Sequence, residues 1–349
     1  MRKISLDLLR IIAMAAVVAF HYQIHIANDM AMYNPFSAKT ILLVLLGSWG
    51  VYGSNVFFCI SSYFLQKKDD INVNHVISIL IKTMIFGIVL YIIAYFMGGV
   101  DRVTTKDIVN CILAPFTYQY WFVTIWFLLM LISPLLNIIL NHMNRRNGFI
   151  VLSILFVYLF VYSSIKGFEI NGRLGCAIWI YLTIGYINKF NLDIIQQNCG
   201  KLLLGCCAIN IIYELVVEYF NILDKRFVFI FENGASATAA IGGISMFLLF
   251  LGLDDSRWNS NLNKFLMLLG KHSFGIFLIC FPGVVSRHFI YDGILRGDYY
   301  YNKSVYVFML AYILTVILVC IGGIISDYIY EKTLGIVIKI FTEKLNITV

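Results

Sequence analysis

The first apolar segment of the sequence carries two polar side chains whose types and spacing suit chemistry. Arg10 and His21 stand at the two ends of the run RIIAMAAVVAFH, with no charged residue between them. Each residue of an α-helix turns by about 100°, so eleven positions complete three turns with about 20° to spare. The spacing therefore predicts that the guanidinium and the imidazole share one face of a helix, about 16 Å apart along its axis.

These two groups suit a reaction on a long substrate with an anionic end. Arginine binds phosphate oxygens in fork geometry, and a neutral imidazole accepts a proton from a hydroxyl nucleophile near neutral pH. A charged side chain at the centre of a spanning helix costs about 2.5–3.5 kcal/mol, which favours a position facing the bundle interior. Two alternatives stay open: Arg10 as an interfacial side chain that reaches the headgroups, and His21 as a structural link between helices.

The composition places these residues in a membrane protein. The chain has 349 residues, of which 60% are hydrophobic and only 13% are charged, whereas soluble domains carry about 25% charged residues. Apolar runs long enough to cross a bilayer recur along the whole length. They predict an all-α polytopic bundle of about ten transmembrane helices, at residues 4–24, 41–65, 76–98, 119–141, 149–166, 173–190, 201–219, 236–253, 264–290 and 303–327.

The connections between these spans predict a single domain over residues 1–349. They are short, and the longest, residues 99–118, contains an apolar stretch that is expected to form a short helix. Asp7 and Arg10 interrupt the first apolar run, which favours a retained helix over a cleaved signal peptide. Lys and Arg are more frequent in the loops on the side of the termini, so the positive-inside rule places both termini in the cytoplasm.

The remaining composition argues against two other kinds of site. The net charge is +7, but the basic residues are dispersed through loops without a basic run, so nucleic-acid binding is not expected. The eight cysteines lie mostly in apolar segments and show neither a CxxC pair nor a Cys/His metal spacing. We therefore expect no metal site, and interpret these cysteines as small buried hydrophobic residues.

Four stretches occur in an order that is similar to one known family. They are LDLLRIIAMAAVVAFH (6–21), GSNVFFCISSYFL (53–65), YWFVTIWFLLMLISPLLN (120–137) and LLGKHSFGIFLICFP (268–282). Together they resemble the acyltransferase-3 family, integral membrane acyltransferases that modify bacterial envelope glycans. The chain departs from the family pattern at Ser62, where glycine is frequent, at Cys280, where histidine is common, and at Lys82, which stands for a cluster of arginines.

The resemblance implies an acyl-CoA-dependent O-acetyltransferase of the bacterial inner membrane. The co-substrate would be acetyl-CoA or another short acyl-CoA, with no permanently bound cofactor, and the acceptor a hydroxyl of a surface polysaccharide, exopolysaccharide or lipid-linked glycan. His21 would be the general base that activates the hydroxyl, or would orient the thioester. Arg10 would hold the CoA phosphates together with Lys82, Lys67 and Lys68. Lys67 and Lys68 fit ordinary cytoplasmic loop charge equally well.

Four further residues are candidates for acceptor binding. Glu214 and Glu218 lie four positions apart, on one face of their predicted helix, and Trp121 could stack on a sugar. Glu331 resembles a glutamate at the end of the family's last helix. An interfacial role competes in each case, since aromatic and charged side chains often lie where a helix leaves the membrane.

A transporter or flippase of lipid-linked saccharide is the main alternative function. It would show the same hydrophobicity and number of spans, but no pair of interrupted helices, the repeat signature of many transporters, is visible. A glycan polymerase would be expected to carry a large outer loop, but the connections between the predicted spans are all short. For the acyltransferase that the resemblance implies, the expected partners are membrane lipid, an acyl-CoA donor and a glycan acceptor.

Overall fold

The structure is a computed structural model that describes residues 3–24, 37–68, 70–96, 105–117, 119–163, 172–220, 234–280, 290–291 and 294–344. Every regular element in these ranges is helical. In chain order the helices are α1 (Ile4–Tyr22), α2 (Ala38–Gly47), α3 (Gly53–Leu65), α4 (Val73–Phe96), α5 (Thr105–Ile112), α6 (Trp121–His142), α7 (Arg145–Phe156), α8 (Gly172–Phe190), α9 (Asp193–Phe220), α10 (Ala237–Leu251), α11 (Ser260–Cys280), α12 (Gly297–Tyr301), α13 (Val305–Lys332) and α14 (Leu334–Lys344). A 3-10 turn, Ser48–Tyr52, joins α2 to α3, and a π-helical turn, Val157–Tyr162, extends α7.

The helices confirm the predicted all-helical, polytopic membrane fold. Eight helical segments in the described ranges are long and apolar enough to cross a membrane: Ile4–Tyr22, Ala38–Leu65, Val73–Phe96, Trp121–His142, Arg145–Tyr162, Ile195–Val216, Ser260–Cys280 and Val305–Lys332. The other two predicted spans are also helices, α8 and the 15-residue α10. Such runs form helices because hydrocarbon offers no partner to a backbone polar group, which must then be satisfied within its own segment.

Two details of the predicted boundaries are also settled. The short helix expected within residues 99–118 is present as α5. The predicted span 264–290 is described as a helix as far as Cys280, and residues 281–289 lie outside the described ranges.

Helix α1 lies inside the bundle. It packs against α2, the 3-10 turn, α3, α10, α11 and α13, and about half of its residues are buried. Because neighbours surround it on several sides, its polar side chains face protein rather than lipid. This position gives α1 the central role in the candidate site.

The loop between α10 and α11 fixes the start of α1. The backbone N–H of Ser5 donates to Asp255 Oδ2 over 2.9 Å, and Lys3 Nζ donates to the carbonyl of Leu251 over 2.7 Å. Burial on its own raises the pKa of Asp255, but hydrogen bonds from Ser5 and Ile4 and the positive charge of Lys3 together outweigh it and lower the pKa below its usual range. A carboxylate at this position satisfies N–H groups that have no partner within the helix.

Glycines bring α11 close to its two neighbours. Gly275 of α11 and Gly323 of α13 face each other, and a Cβ atom on either residue would overlap the backbone of the other helix. Gly270 of α11 packs in the same manner against Asp7 of α1, whose Cβ would lie 2.7 Å from a Cβ at position 270. These contacts bring the polar residues of α1, α11 and α13 close together.

Candidate active site

One stripe of α1 lines two neighbouring cavities. Lys3, Leu6 and Arg10 line the first cavity, and Met14, Val17 and His21 line the second. Successive members of this set lie three or four positions apart, which is the spacing of one helix face. Arg10 and His21 therefore open onto the same side of α1, as their separation predicts.

The first cavity, which we call the basic cavity, has a volume of about 610 Å³ and lies between α1, α3, α4, α6 and α11. Its lining residues with a permanent positive charge, in the described ranges, are Lys3, Arg10, Lys68 and Lys271. Much of the remaining wall is apolar or aromatic: Leu6, Phe57, Ile60, Phe122, Trp126, Met130 and Phe274. A cavity of this kind suits a ligand with an anionic end and a long uncharged arm.

Arg10 is held in the wall of the basic cavity by a buried carboxylate. Its Nη1 lies 2.7 Å from Oδ1 of Asp7, one turn earlier on α1. The Asp7 side chain is fully buried, whereas the Arg10 side chain remains 24% exposed. This ion pair argues against an interfacial side chain that reaches the headgroups, because the guanidinium contacts a buried carboxylate of its own helix.

The second cavity, which we call the imidazole pocket, has a volume of about 190 Å³ and contains His21. His21 Nδ1 lies 3.2 Å from the carbonyl oxygen of Cys280, the last residue of α11. A carbonyl has no proton to give, so Nδ1 is the donor and the basic lone pair of the neutral ring is on Nε2. The contact thus links two helices, as the structural alternative expects, and also fixes the tautomer that a general base requires.

Phe122 lies between the two cavities and lines both of them. It belongs to the first turn of α6, and its ring packs against Phe58 and Phe277 with centroid distances of 4.9 and 5.3 Å. Phe277 also lines the imidazole pocket, and Phe122 is the residue that the described linings of the two cavities share. A ligand that extends from one cavity into the other at this place passes Phe122.

The three lysines predicted to hold CoA phosphates lie in three different environments. Lys68 lines the basic cavity. The Lys67 ammonium lies 3.9 Å from the centre of the Tyr63 ring and lines a separate polar cavity of about 510 Å³ between α3, α6 and α8. Lys82 forms an ion pair with Asp327 and does not line the basic cavity. Lys67 and Lys68 are adjacent in the sequence but line different cavities, because α3 ends between the two.

Lys82 belongs to a buried charge network between α4, α11 and α13. Its partner Asp327 is fully buried and also lies 2.8 Å from Nδ1 of His272. His272 in turn lies 3.9 Å from Glu331, whose carboxylate pairs with Lys271 of the basic cavity. His272, Asp327 and Glu331 are close enough to ligate a metal ion, but both carboxylates are already neutralised by ammonium groups, so we interpret the group as an ion-pair network.

The four candidates for acceptor binding are spread over the molecule. Trp121 lines the imidazole pocket. Glu214 is buried and accepts a hydrogen bond of 3.1 Å from Nε2 of Gln23, and it does not line the imidazole pocket. Glu331 lies in the ion-pair network. The side chain of Glu218 is outside the described residues, so its pairing with Glu214 is not tested.

The structure adds Lys3, Lys271 and Arg173 to the residues selected from the sequence. Lys3 and Lys271 complete the basic cavity, and the Arg173 guanidinium lies 3.9 Å from the centre of the Trp121 ring in the imidazole pocket. From the sequence these residues were only loop or span-end charges. They are far from Arg10 and His21 in the sequence, and only the packing of the helices brings them to the same cavities.

The Cys280 thiol does not line the imidazole pocket. Its Sγ donates to the carbonyl of Phe277 instead.

Comparison with known proteins supplies the class of reaction. A family model described as an acyltransferase domain matches residues 3–332. No curated protein and no solved structure matches the chain. The family match covers both cavities and all of the helices except α14. The chain therefore belongs to the acyltransferase 3 family, and the protein is a membrane-bound acyltransferase.

Proposed function

We propose that the protein transfers an acetyl group from acetyl-CoA to a hydroxyl of a bacterial surface polysaccharide or its lipid-linked precursor. The observation that carries the proposal is the position of His21, oriented by the Cys280 carbonyl in a pocket that shares the lining residue Phe122 with the basic cavity. The whole chain, residues 1–349, acts as one acyltransferase domain in the inner membrane. Acetyl-CoA is a co-substrate, and no permanently bound cofactor is required.

The basic cavity suits the CoA part of the donor. Its volume of about 610 Å³ lies within the roughly 300–1,000 Å³ of small-molecule sites. Arg10, Lys68 and Lys271, with Lys3, offer positive charge to the phosphates, and the apolar wall accommodates the uncharged pantetheine arm. Lys82 and Lys67 are left out of this assignment, because neither lines the basic cavity: Lys82 pairs with Asp327 away from it, and Lys67 lines another cavity.

The imidazole pocket suits the transfer step. The thioester reaches past Phe122, and Nε2 of His21 accepts the proton of the acceptor hydroxyl as its oxygen attacks the thioester carbonyl. The tetrahedral intermediate collapses with cleavage of the C–S bond, and the imidazolium returns the proton to the departing thiolate. One ester forms, one thioester breaks, and CoA leaves as the free thiol, so no other reactant is needed.

Replacement of His21 by asparagine tests this assignment. The amide nitrogen of Asn can still donate to the Cys280 carbonyl, but the side chain has no base, so we expect the His21→Asn protein to insert and bind donor normally. Transfer of label from acetyl-CoA to glycan in membranes should fall about 10²–10⁴-fold.

His142 offers the matched control, since it is exposed at the end of α6, lines neither cavity, and its Nδ1 also contacts a backbone carbonyl. His142→Asn should leave transfer unchanged. Undiminished transfer by His21→Asn would exclude a general base at this position. Movement of saccharide across the membrane without acyl transfer would instead support the flippase function.

A further inference from the structure

The hydroxyl of Ser54 is a hydrogen-bond donor in the wall of the imidazole pocket. Ser54 is the second residue of α3, and its half-buried side chain lines the pocket together with His21. Within the described part of the chain, Oγ of Ser54 has no hydrogen-bond partner. Ser62 of the same helix differs, because its hydroxyl donates to the backbone carbonyl of Phe58. The Ser54 hydroxyl is therefore available to a ligand in the pocket.

Two glycines bring the start of α3 against α1 near the proposed general base. A Cβ atom on Gly53, the residue before Ser54, would lie 2.3 Å from Cγ2 of Val17. A Cβ atom on Gly50, in the preceding 3-10 turn, would lie 2.2 Å from Cβ of Phe20. Both contacts fall in the last turns of α1, which also carry the imidazole. The missing side chains at the two glycines thus allow the Ser54 backbone to lie beside the reacting end of α1.

Acyl transfer in this pocket creates a negative charge that needs a donor. When the acceptor oxygen adds to the thioester, the carbonyl oxygen becomes the oxyanion of a tetrahedral intermediate. A donor that is already directed at this oxygen, in a site away from bulk water, stabilises the charge strongly. His21 has another task, because its Nδ1 proton is held by the Cys280 carbonyl and its Nε2 serves the acceptor hydroxyl.

We propose that the Ser54 hydroxyl donates a hydrogen bond to the oxyanion of the tetrahedral intermediate. This inference rests on the proposed function and adds a catalytic residue to it. The pocket volume of about 190 Å³ is below the roughly 300–1,000 Å³ of drug-sized sites, so groups on different walls can contact one small reacting centre. Oγ keeps its proton and forms no covalent bond while the new C–O bond forms and the C–S bond breaks, so the balance of the transfer reaction is unchanged.

The experiment compares the wild-type, Ser54→Ala and Ser54→Thr proteins, full length and in membranes. Alanine removes the hydroxyl without harm to the helix, because it has the highest helix propensity. Labelled acetyl-CoA is the donor, and two reactions are measured: transfer of label to glycan of the host strain, and release of labelled acetate by water without glycan. Both reactions pass through an oxyanion, but only the first uses the acceptor.

We expect Ser54→Ala to lower kcat for transfer about 10²–10³-fold, the usual effect of removing one oxyanion donor. The KM values for acetyl-CoA and for glycan should stay unchanged, and release of acetate should fall by the same factor as transfer. Ser54→Thr retains a hydroxyl and should recover much of kcat. Ser62→Ala is the matched control in the same helix, because Ser62 is buried and lines neither cavity, and it should leave both rates unchanged.

Each other result has a distinct meaning. Undiminished transfer by Ser54→Ala would overturn the role of this hydroxyl and leave the proposed acetyl transfer intact. A raised KM for glycan with unchanged release of acetate would also overturn it, because Ser54 would then contact the acceptor rather than the oxyanion. A raised KM for acetyl-CoA in both Ser54 variants would show a structural role and contradict the proposal. No labelling of glycan by the wild-type protein would contradict the proposed function itself.

Discussion

At the scale of single residues, Lys67 and Lys68 show how finely helix packing divides neighbouring charges. Both side chains are exposed and follow the end of α3. Lys68 lines the basic cavity, whereas Lys67 packs over the ring of Tyr63 at a different cavity. In the sequence the two lysines are equivalent, so a difference between the effects of replacing them would be a direct test of the structure.

We expect Lys68→Gln to weaken donor binding and Lys67→Gln to leave it unchanged. A partly solvated charge pair contributes about 1 kcal/mol, so the KM for acetyl-CoA should rise roughly 5-fold in the first variant. Steady-state kinetics with solubilised protein measures both variants under one buffer and one salt concentration. Equal effects of the two substitutions would show that the phosphates lie outside the basic cavity.

The orientation of His21 also belongs to this scale. Its Nδ1 contact is with a backbone carbonyl, that of Cys280, so the contact is independent of the side chain at position 280. The orientation of His21 therefore does not require a particular side chain at position 280. The thiol faces away into its own helix, and the pocket keeps a single imidazole among its described lining residues.

At the scale of helices, the Lys82–Asp327 pair joins α4 to α13, with His272 of α11 on the other oxygen of Asp327. The side chains of Lys82 and Asp327 are 11% and 0% exposed. The second pair, Lys271 and Glu331, is 55% and 31% exposed. Since water competes with one pair and barely reaches the other, the two pairs should differ strongly in their effect on stability.

Asp327→Asn should destabilise the protein by about 3–5 kcal/mol, because it leaves the buried ammonium of Lys82 without its counter-charge. Glu331→Gln removes a carboxylate from the exposed pair and should cost less than about 1 kcal/mol. Thermal unfolding of the two purified variants in the same detergent shows which of them is less stable. A Glu331→Gln protein as unstable as Asp327→Asn would contradict the assigned burial.

The helices and the site were predictable to different degrees for a physical reason. Spans follow from apolar runs, and the common face of Arg10 and His21 follows from the helical period, so both depend only on local sequence. The ion pair of Lys82 with Asp327 and the approach of Arg173 to Trp121 depend on which helices pack together. The family resemblance instead suggested that Lys82, Lys67 and Lys68 act together, and the structure separates them.

At the scale of the whole molecule, the two cavities lie towards opposite ends of α1. The basic cavity lies at the start of α1 and near the ends of α3 and α13, whereas the imidazole pocket lies at the start of α6 and α8. In the proposed function, the donor would approach from the start of α1 and the acceptor from its other end, and they would meet near Phe122. This arrangement is useful only if the basic cavity faces the compartment that contains acetyl-CoA.

The proposed orientation puts the basic cavity and the loop between α10 and α11 in the cytoplasm, and the loop before α13 outside. Single cysteines in place of Arg257 and Lys303, both exposed, report on these two sides. A membrane-impermeant maleimide should label the Lys303→Cys protein in intact cells and the Arg257→Cys protein only after permeabilisation. The native cysteines give little background, because seven of the eight are buried and Cys320 is partly so. The reverse pattern would place the basic cavity outside the cell, where CoA thioesters are not made, and acetyl-CoA could then not be the donor.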